Sequence, residues 1–207
     1  GRRRLLLRAS LVMNLGILGL FKYSNFFIES VSGFLDLFCL HPEQSFLAIA
    51  VPVGISFYTF KRLSWVFELY RRREVPNTGV VDFLNYVIFF PTLLAGPIDR
   101  PGVLLEQLSK RREFNGALAT DGLRQILSGL LKKLVIADNL APLVEQVFSG
   151  YTDQTGISLL FGVFMVAMQI YFDFAGYSDI AIGCGKLLGF RLTRNFDYPY
   201  FCRDIAE

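Results

Sequence analysis

Histidine is almost missing from this sequence: His41 is its one histidine among 207 residues. A histidine-based triad or zinc site needs several converging ligands or partners, so neither can be assembled from these residues alone. His41 stands before Pro42 in an acidic stretch with no serine, cysteine or metal-ligand partner nearby, and it reads as a loop residue. Cysteine is scarce too. Cys39, Cys184 and Cys202 are far apart, lack metal-ligand spacing and lie in or beside apolar stretches, where cysteine serves as a small packing residue; we read neither metal nor disulfide from them. No phosphate-binding or dinucleotide-binding glycine loop is present. Net charge is only +3, and lysine and arginine gather at the ends of apolar segments and form no basic face, which excludes nucleic acid as a partner. The sequence starts at Gly1 and stops at Glu207 in text that still reads as structured. The expectation is one membrane domain over residues 1–207, cut at both ends.

What is abundant is apolar. Hydrophobic residues make up 53% of the chain, 21 of them phenylalanine, and the mean hydropathy of +0.42 exceeds what a soluble core of this length needs. Residues 5–21 form a first apolar segment behind Arg2, Arg3 and Arg4. No small-x-small cleavage site follows it, so a retained helix is expected over a signal peptide. Residues 23–45 carry Glu29, Asp36 and Glu43 without lysine or arginine and read as an outward turn. Residues 46–60 are apolar again, with Pro52 and Gly54 inside, and end at Lys61 and Arg62 before the run of Arg71, Arg72 and Arg73. The positive-inside rule makes this a hairpin with both ends in the cytoplasm. Residues 83–96 are too short to span simply and lie between basic clusters. Pro91, Gly96, Pro97 and Pro101 suggest a re-entrant element, the plainer reading being a short buried helix. Over residues 122–148, Leu123, Ile126, Leu127, Leu130, Leu131 and Leu134 recur at helical steps with Lys132 and Lys133 off that stripe. Residues 157–190 form the last long apolar region. The expected class is all-α, a multi-pass transmembrane domain with re-entrant and broken helices.

The chemistry-bearing candidates sit in that last region and in the proline-rich turn. Asp173 and Tyr177 share a helix face with Gln169, whereas Asp179 points roughly 120° away from Asp173. An aspartate at membrane depth carries an insertion penalty of roughly 2.5–3.5 kcal/mol, so such residues face a cavity or a cationic partner on another helix. Both uses stay open here: wall of a polar tunnel, or structural ion pair. Gly185 and Gly189, with Ala181 before them, have a spacing that permits close helix approach.

Four strings carry a resemblance: Val51-Pro-Val-Gly-Ile-Ser-Phe-Tyr-Thr-Phe60, Phe89-Phe-Pro-Thr-Leu-Leu-Ala-Gly-Pro-Ile-Asp-Arg-Pro101, Ile170-Tyr-Phe-Asp-Phe-Ala-Gly-Tyr-Ser-Asp-Ile-Ala-Ile182 and Asn195-Phe-Asp-Tyr-Pro-Tyr200. In order and spacing the sequence resembles the membrane-bound O-acyltransferase family, in its bacterial branch of alginate O-acetylases and teichoic acid D-alanyl transferases. The resemblance implies a bowl-like helical domain in the bacterial plasma membrane with a tunnel through a thinned centre. A cytoplasmic donor, acetyl-CoA or an acyl-carrier thioester, would meet an acceptor there, and a periplasmic acyl-accepting protein is the implied partner besides the lipid bilayer. It also implies a catalytic histidine beyond Glu207, so these residues alone are expected to be inactive and to hold no bound cofactor or metal. From helix breaks and intramembrane charge, Pro97, Asp99, Arg100, Asp173, Tyr177 and Asp179 are the expected tunnel-lining or bracing residues. The competing class is a channel or secondary transporter, whose inverted repeat is not found here.

Overall fold

The computed structural model describes residues 2–36, 51–71, 79–197 and 199–204. His41, Cys39, Arg72, Arg73, Tyr198 and the opening of the second apolar segment, residues 46–50, lie outside the described residues. Among those described there are helices and turns but no strand. The chain divides into two compact units: residues 1–88 with 100–102, and residues 89–99 with 103–207.

The first unit contains α1 (Arg2–Asp36), α2 (Ile55–Arg71) and α3 (Val80–Ile88). α1 is longer than expected. It continues through residues 23–36, so the expected outward turn does not begin at Tyr23, and residues 37–45 of that stretch lie outside the described residues; Phe26, Phe27, Val31 and Phe34 continue the apolar surface of α1 and no proline interrupts it. The start of α1 lies along the end of α2, where Arg3, Leu6, Leu7, Val66, Leu69 and Tyr70 line an apolar groove. Pro52 and Gly54 do not break the second helix from within. They start it: Gly54 has a φ of +77°, open only to glycine at low strain, and Ile55 N–H donates to the Pro52 carbonyl at 3.1 Å. α2 then passes beyond Lys61 and Arg62, the expected boundary, to Arg71. Lys61 is fully buried there, with its ammonium 5.2 Å from the centre of the Tyr86 ring, and Trp65 packs on Phe83 and Tyr86.

In the second unit a 3₁₀ turn at Phe90–Thr92 leads through Gly96 and Pro97 toward α4 (Pro101–Ser109), which has Pro101 at its first position and belongs to this unit from Val103 on. α5 (Gly116–Leu130) is capped by Asn115, whose side chain accepts from Leu118 N–H at 3.0 Å. It continues without a break into a π-helical segment, Leu131–Ala137, and α6 (Asp138–Ser149). A 3₁₀ turn at Tyr151–Asp153 and a Thr155 cap open α7 (Gly156–Leu187). α7 runs antiparallel to α5 and α6 along their joint length: Gly183 meets Gly122, Gly176 meets Gly129, and Gly162 meets Val147 and Phe148. A Cβ on Gly129 would come within 2.6 Å of the Gly176 carbonyl, so these crossings exist only because both residues are glycine.

Two helices, Arg2–Ser32 and Gly156–Leu187, are long and apolar enough to cross a membrane, and only 6% of each apolar window is buried. A soluble core helix would hide that surface. Of the expected stripe, Leu123, Leu127, Leu130, Leu131 and Leu134 are likewise exposed and turned away from α7, while Ile126 packs on Gly183 of α7. The glycines face the partner helix and the leucines face outward, the inverse of a soluble amphipathic pair and the arrangement that lipid rewards.

Candidate functional site

α7 ends in a glycine stop that returns the chain on itself. Gly189 takes a φ of +80°, Gly189 N–H donates to the Lys186 carbonyl at 3.0 Å, and Phe190 N–H donates to the Gly185 carbonyl at 2.8 Å, the paired bonds of a Schellman motif. The Gly185 and Gly189 spacing thus serves this turn and the seat of Leu192, whose side chain would meet a Cβ on Gly185 at 2.7 Å. Close helix approach falls to Gly176 and Gly183 instead.

The returning segment is then pinned at successive points. Phe190 lies between the Phe89 ring at 4.8 Å and the Arg112 guanidinium at 4.1 Å. Gln107 accepts from Arg191 N–H at 2.7 Å and donates to the Arg191 carbonyl at 3.0 Å. Asp99, buried at the end of the proline-rich turn, accepts from both Thr193 N–H at 2.8 Å and Thr193 Oγ1 at 2.7 Å. Asn195 donates to Ser178 Oγ of α7 at 3.0 Å. Phe196 and Tyr200 pack on the Tyr171 ring, Phe196 also on Phe174, and Tyr200 Oη donates to the Ala167 carbonyl at 3.0 Å. Three of the four motif strings therefore meet: the proline-rich turn, the aspartate-bearing stretch of α7 and the Asn195 segment.

Asp173 and Asp179 stand on either side of Gly176, about 60° from it each way at 100° per residue, so both border the glycine seam against the opposite helix. Lysines wait there. Lys132 Nζ lies 2.5 Å from Asp179 Oδ2, and Gln125 donates to Asp179 Oδ1 at 3.0 Å. Lys133 Nζ lies 2.5 Å from Asp173 and 2.8 Å from Asp138. The wider turn of the π-helix presents both neighbouring lysines to α7, with Asp138 N–H reaching back to the Lys133 carbonyl and Asn139 donating to the carbonyls of Leu134 and Val135. At the far end of this hairpin Lys186 bonds Asp121 at 2.5 Å, and that hydrogen bond holds the exposed Asp121 carboxyl below its ordinary pKa.

Between the Lys132 pair and the returning segment lies a polar cavity of about 60 Å³, lined by Lys132, Tyr171, Ser178, Asp179, Arg194 and Asn195 among others. It has room for water. Among the expected residues, Asp179 is on this cavity, Asp99 is buried on Thr193 and does not line it, and Tyr177 is half-buried beside the Ala95 backbone. Pro97 is buried in the turn, while Arg100 and Asp173 are exposed. Sequence reasoning passed over Lys132, Lys133, Gln125, Ser178 and Asn195. Two adjacent lysines off the leucine stripe of an apolar helix were the available signal. Each of the two α7 carboxylates is thus committed to an ammonium across the seam, an arrangement that can hold the facing helices and their polar groups in register. Among the described residues no three histidine, cysteine, aspartate or glutamate side chains gather to hold a metal ion.

Comparison with known proteins gives the site its context. No protein-family model matches the chain. The chain is 38% identical over 201 residues, 97% of its length, to the probable alginate O-acetylase of Azotobacter vinelandii. The chain belongs to the membrane-bound O-acyltransferase family. It is also 30% identical to the peptidoglycan O-acetyltransferase of Helicobacter pylori over 99% of its length, and 27% identical to the teichoic acid D-alanyltransferase of Bacillus subtilis over 81%. The chain spans about two-fifths of the length of these O-acyltransferases. All four motif strings fall within an alignment that covers nearly the whole chain, and the channel or transporter class is set aside in favour of this O-acyltransferase family.

Proposed function

We propose that this chain is part of a multi-pass O-acyltransferase of the bacterial plasma membrane. It moves an acetyl group from a cytoplasmic thioester, acetyl-CoA or an acyl carrier, toward hydroxyls of a surface polysaccharide such as alginate. The observation that carries the reading is the 38% identity to a probable alginate O-acetylase across almost the entire chain. In such a transfer the acceptor hydroxyl loses its proton to a base, its oxygen attacks the thioester carbonyl, and the tetrahedral oxyanion collapses to an ester with loss of the thiolate, which takes up the proton. The described residues supply walls and braces for that reaction. Asp99 and Pro97 shape the turn, Asp173, Tyr177 and Asp179 mark the polar face of α7, and Arg100 meets the anionic donor. The proline-rich turn enters the membrane as a re-entrant element, and a periplasmic protein receives the acyl unit.

The test uses the full-length protein in membranes with labelled acetyl-CoA. Label in surface polysaccharide that is lost on Asp179→Ala supports the reading. Transfer only from a D-alanyl carrier thioester moves the chain to the teichoic acid reading, and no transfer from any acyl thioester refutes both.

A further inference from the structure

The glycine contacts between α5 and α7, with the Ile126 and Ile180 side chains packed beside them, set how near the helices come, but such apolar contacts are not directional and leave the angular lock to other groups. Polar bonds across the seam supply that lock. Lys132 holds one oxygen of Asp179 and Gln125 the other, and the Lys132 and Asp179 side chains are mostly buried, 27% and 20% exposed. Ser178, the neighbour of Asp179, is buried and receives the Asn195 amide. Tyr171, two turns earlier on α7, carries the rings of Phe196 and Tyr200. Over residues 190–197 the returning segment forms neither helix nor strand; Gln107 and Asp99 hold its start, and from Asn195 on its position follows the α7 face bearing Tyr171 and Ser178.

We infer that Lys132 is a positioning residue for acyl transfer: acting through Asp179, it fixes the roll of α7 and so sets Arg194, Asn195 and Phe196 over the polar cavity. The inference rests on the O-acyltransferase reading for its catalytic consequence, but its structural half stands apart from that reading. Its π-helical setting fits, since an irregular turn is retained where it aims a particular side chain.

The experiment compares full-length protein carrying Lys132→Ala, Lys132→Arg, or Lys132→Asp combined with Asp179→Lys. Two quantities are read: kcat and KM for the acyl donor, and the maleimide labelling rate at Cys202, exposed just beyond the segment, located by peptide mass spectrometry. Lys132→Ala is expected to lower kcat about tenfold to a hundredfold with KM within about twofold, as a misplaced site does. Labelling at Cys202 rises in parallel. Lys132→Arg and the exchanged pair recover most of both. A lowered kcat with unchanged Cys202 labelling overturns the inference, as does a Lys132→Ala protein with normal kcat. If Lys132→Ala does not fold, the exchanged pair decides, and a folded exchanged protein with raised labelling refutes the positioning role. A wild-type protein without acyl transfer refutes the proposed function, while Cys202 labelling still tests the roll of α7.

Discussion

At the residue scale, the described chain depends on small groups in places where nothing larger fits. Gly176→Val puts carbon against the Gly129 carbonyl and the Lys132 side chain; overpacking of this kind destabilises by about 1–3 kcal/mol. Gly16→Ala is the control, since a Cβ there meets nothing within 4 Å, and it is expected to be neutral or slightly stabilising. Thermal unfolding midpoints of the full-length protein in detergent separate the two. Asp99 makes a second case. Asp99→Asn keeps an oxygen for Thr193 N–H and is tolerated, whereas Asp99→Leu leaves that N–H without an acceptor and costs about 1–3 kcal/mol by the same measurement. Asp121 adds a modest pH dependence. Its folded pKa is depressed by Lys186, so its contribution is present above the ordinary carboxylate range and is lost as pH falls through the depressed value. Asp121→Asn is expected to lower the unfolding midpoint slightly near neutrality, by little because the group is exposed, and to converge with the unsubstituted protein in acid, so that the acid-side fall is smaller.

At the element scale, the π-helical segment sets the phase between α5 and α6. α5 presents Gly122 and Gly129 to α7, and α6 presents Val147 and Phe148 to Gly162; one residue fewer between them turns α6 by about 100° relative to α5. Deleting the outward-facing Val135 is therefore expected to keep helix content by circular dichroism while lowering the unfolding midpoint sharply. Unchanged thermal stability after the deletion would show that the wide turn has no role in the packing. The sequence showed a long helix here and placed its lysines off the leucine stripe. It did not show that the stripe faces outward, because periodicity marks the apolar face without saying whether lipid or protein covers it.

At the scale of the whole molecule, α7 would be about 48 Å long at 1.5 Å per residue, longer than a hydrocarbon core of roughly 30 Å. Its charged end at Lys186 and its polar cap at Thr155 can therefore both reach the interfaces. The start of α1 and the end of α2 lie together in the first unit, as expected if the arginines of both ends share the cytoplasmic side. Cysteines substituted for Leu5 and Tyr70 are expected to react with an impermeant maleimide only after the cytoplasmic side is opened; labelling of the two from opposite sides would reject that topology. The sequence by itself determined the apolar, helical, membrane character and the family, because hydropathy over about twenty residues and four ordered motif strings are local properties of the chain. Tertiary structure alone decided which glycines meet, that Lys132 and Lys133 answer Asp179 and Asp173, and that Asp99, Ser178 and Asn195 gather around one returning segment. Those partners stand 40 to 94 residues apart across helices or, for Asn195 and Ser178, across a reversal of direction, and no local period encodes such pairing.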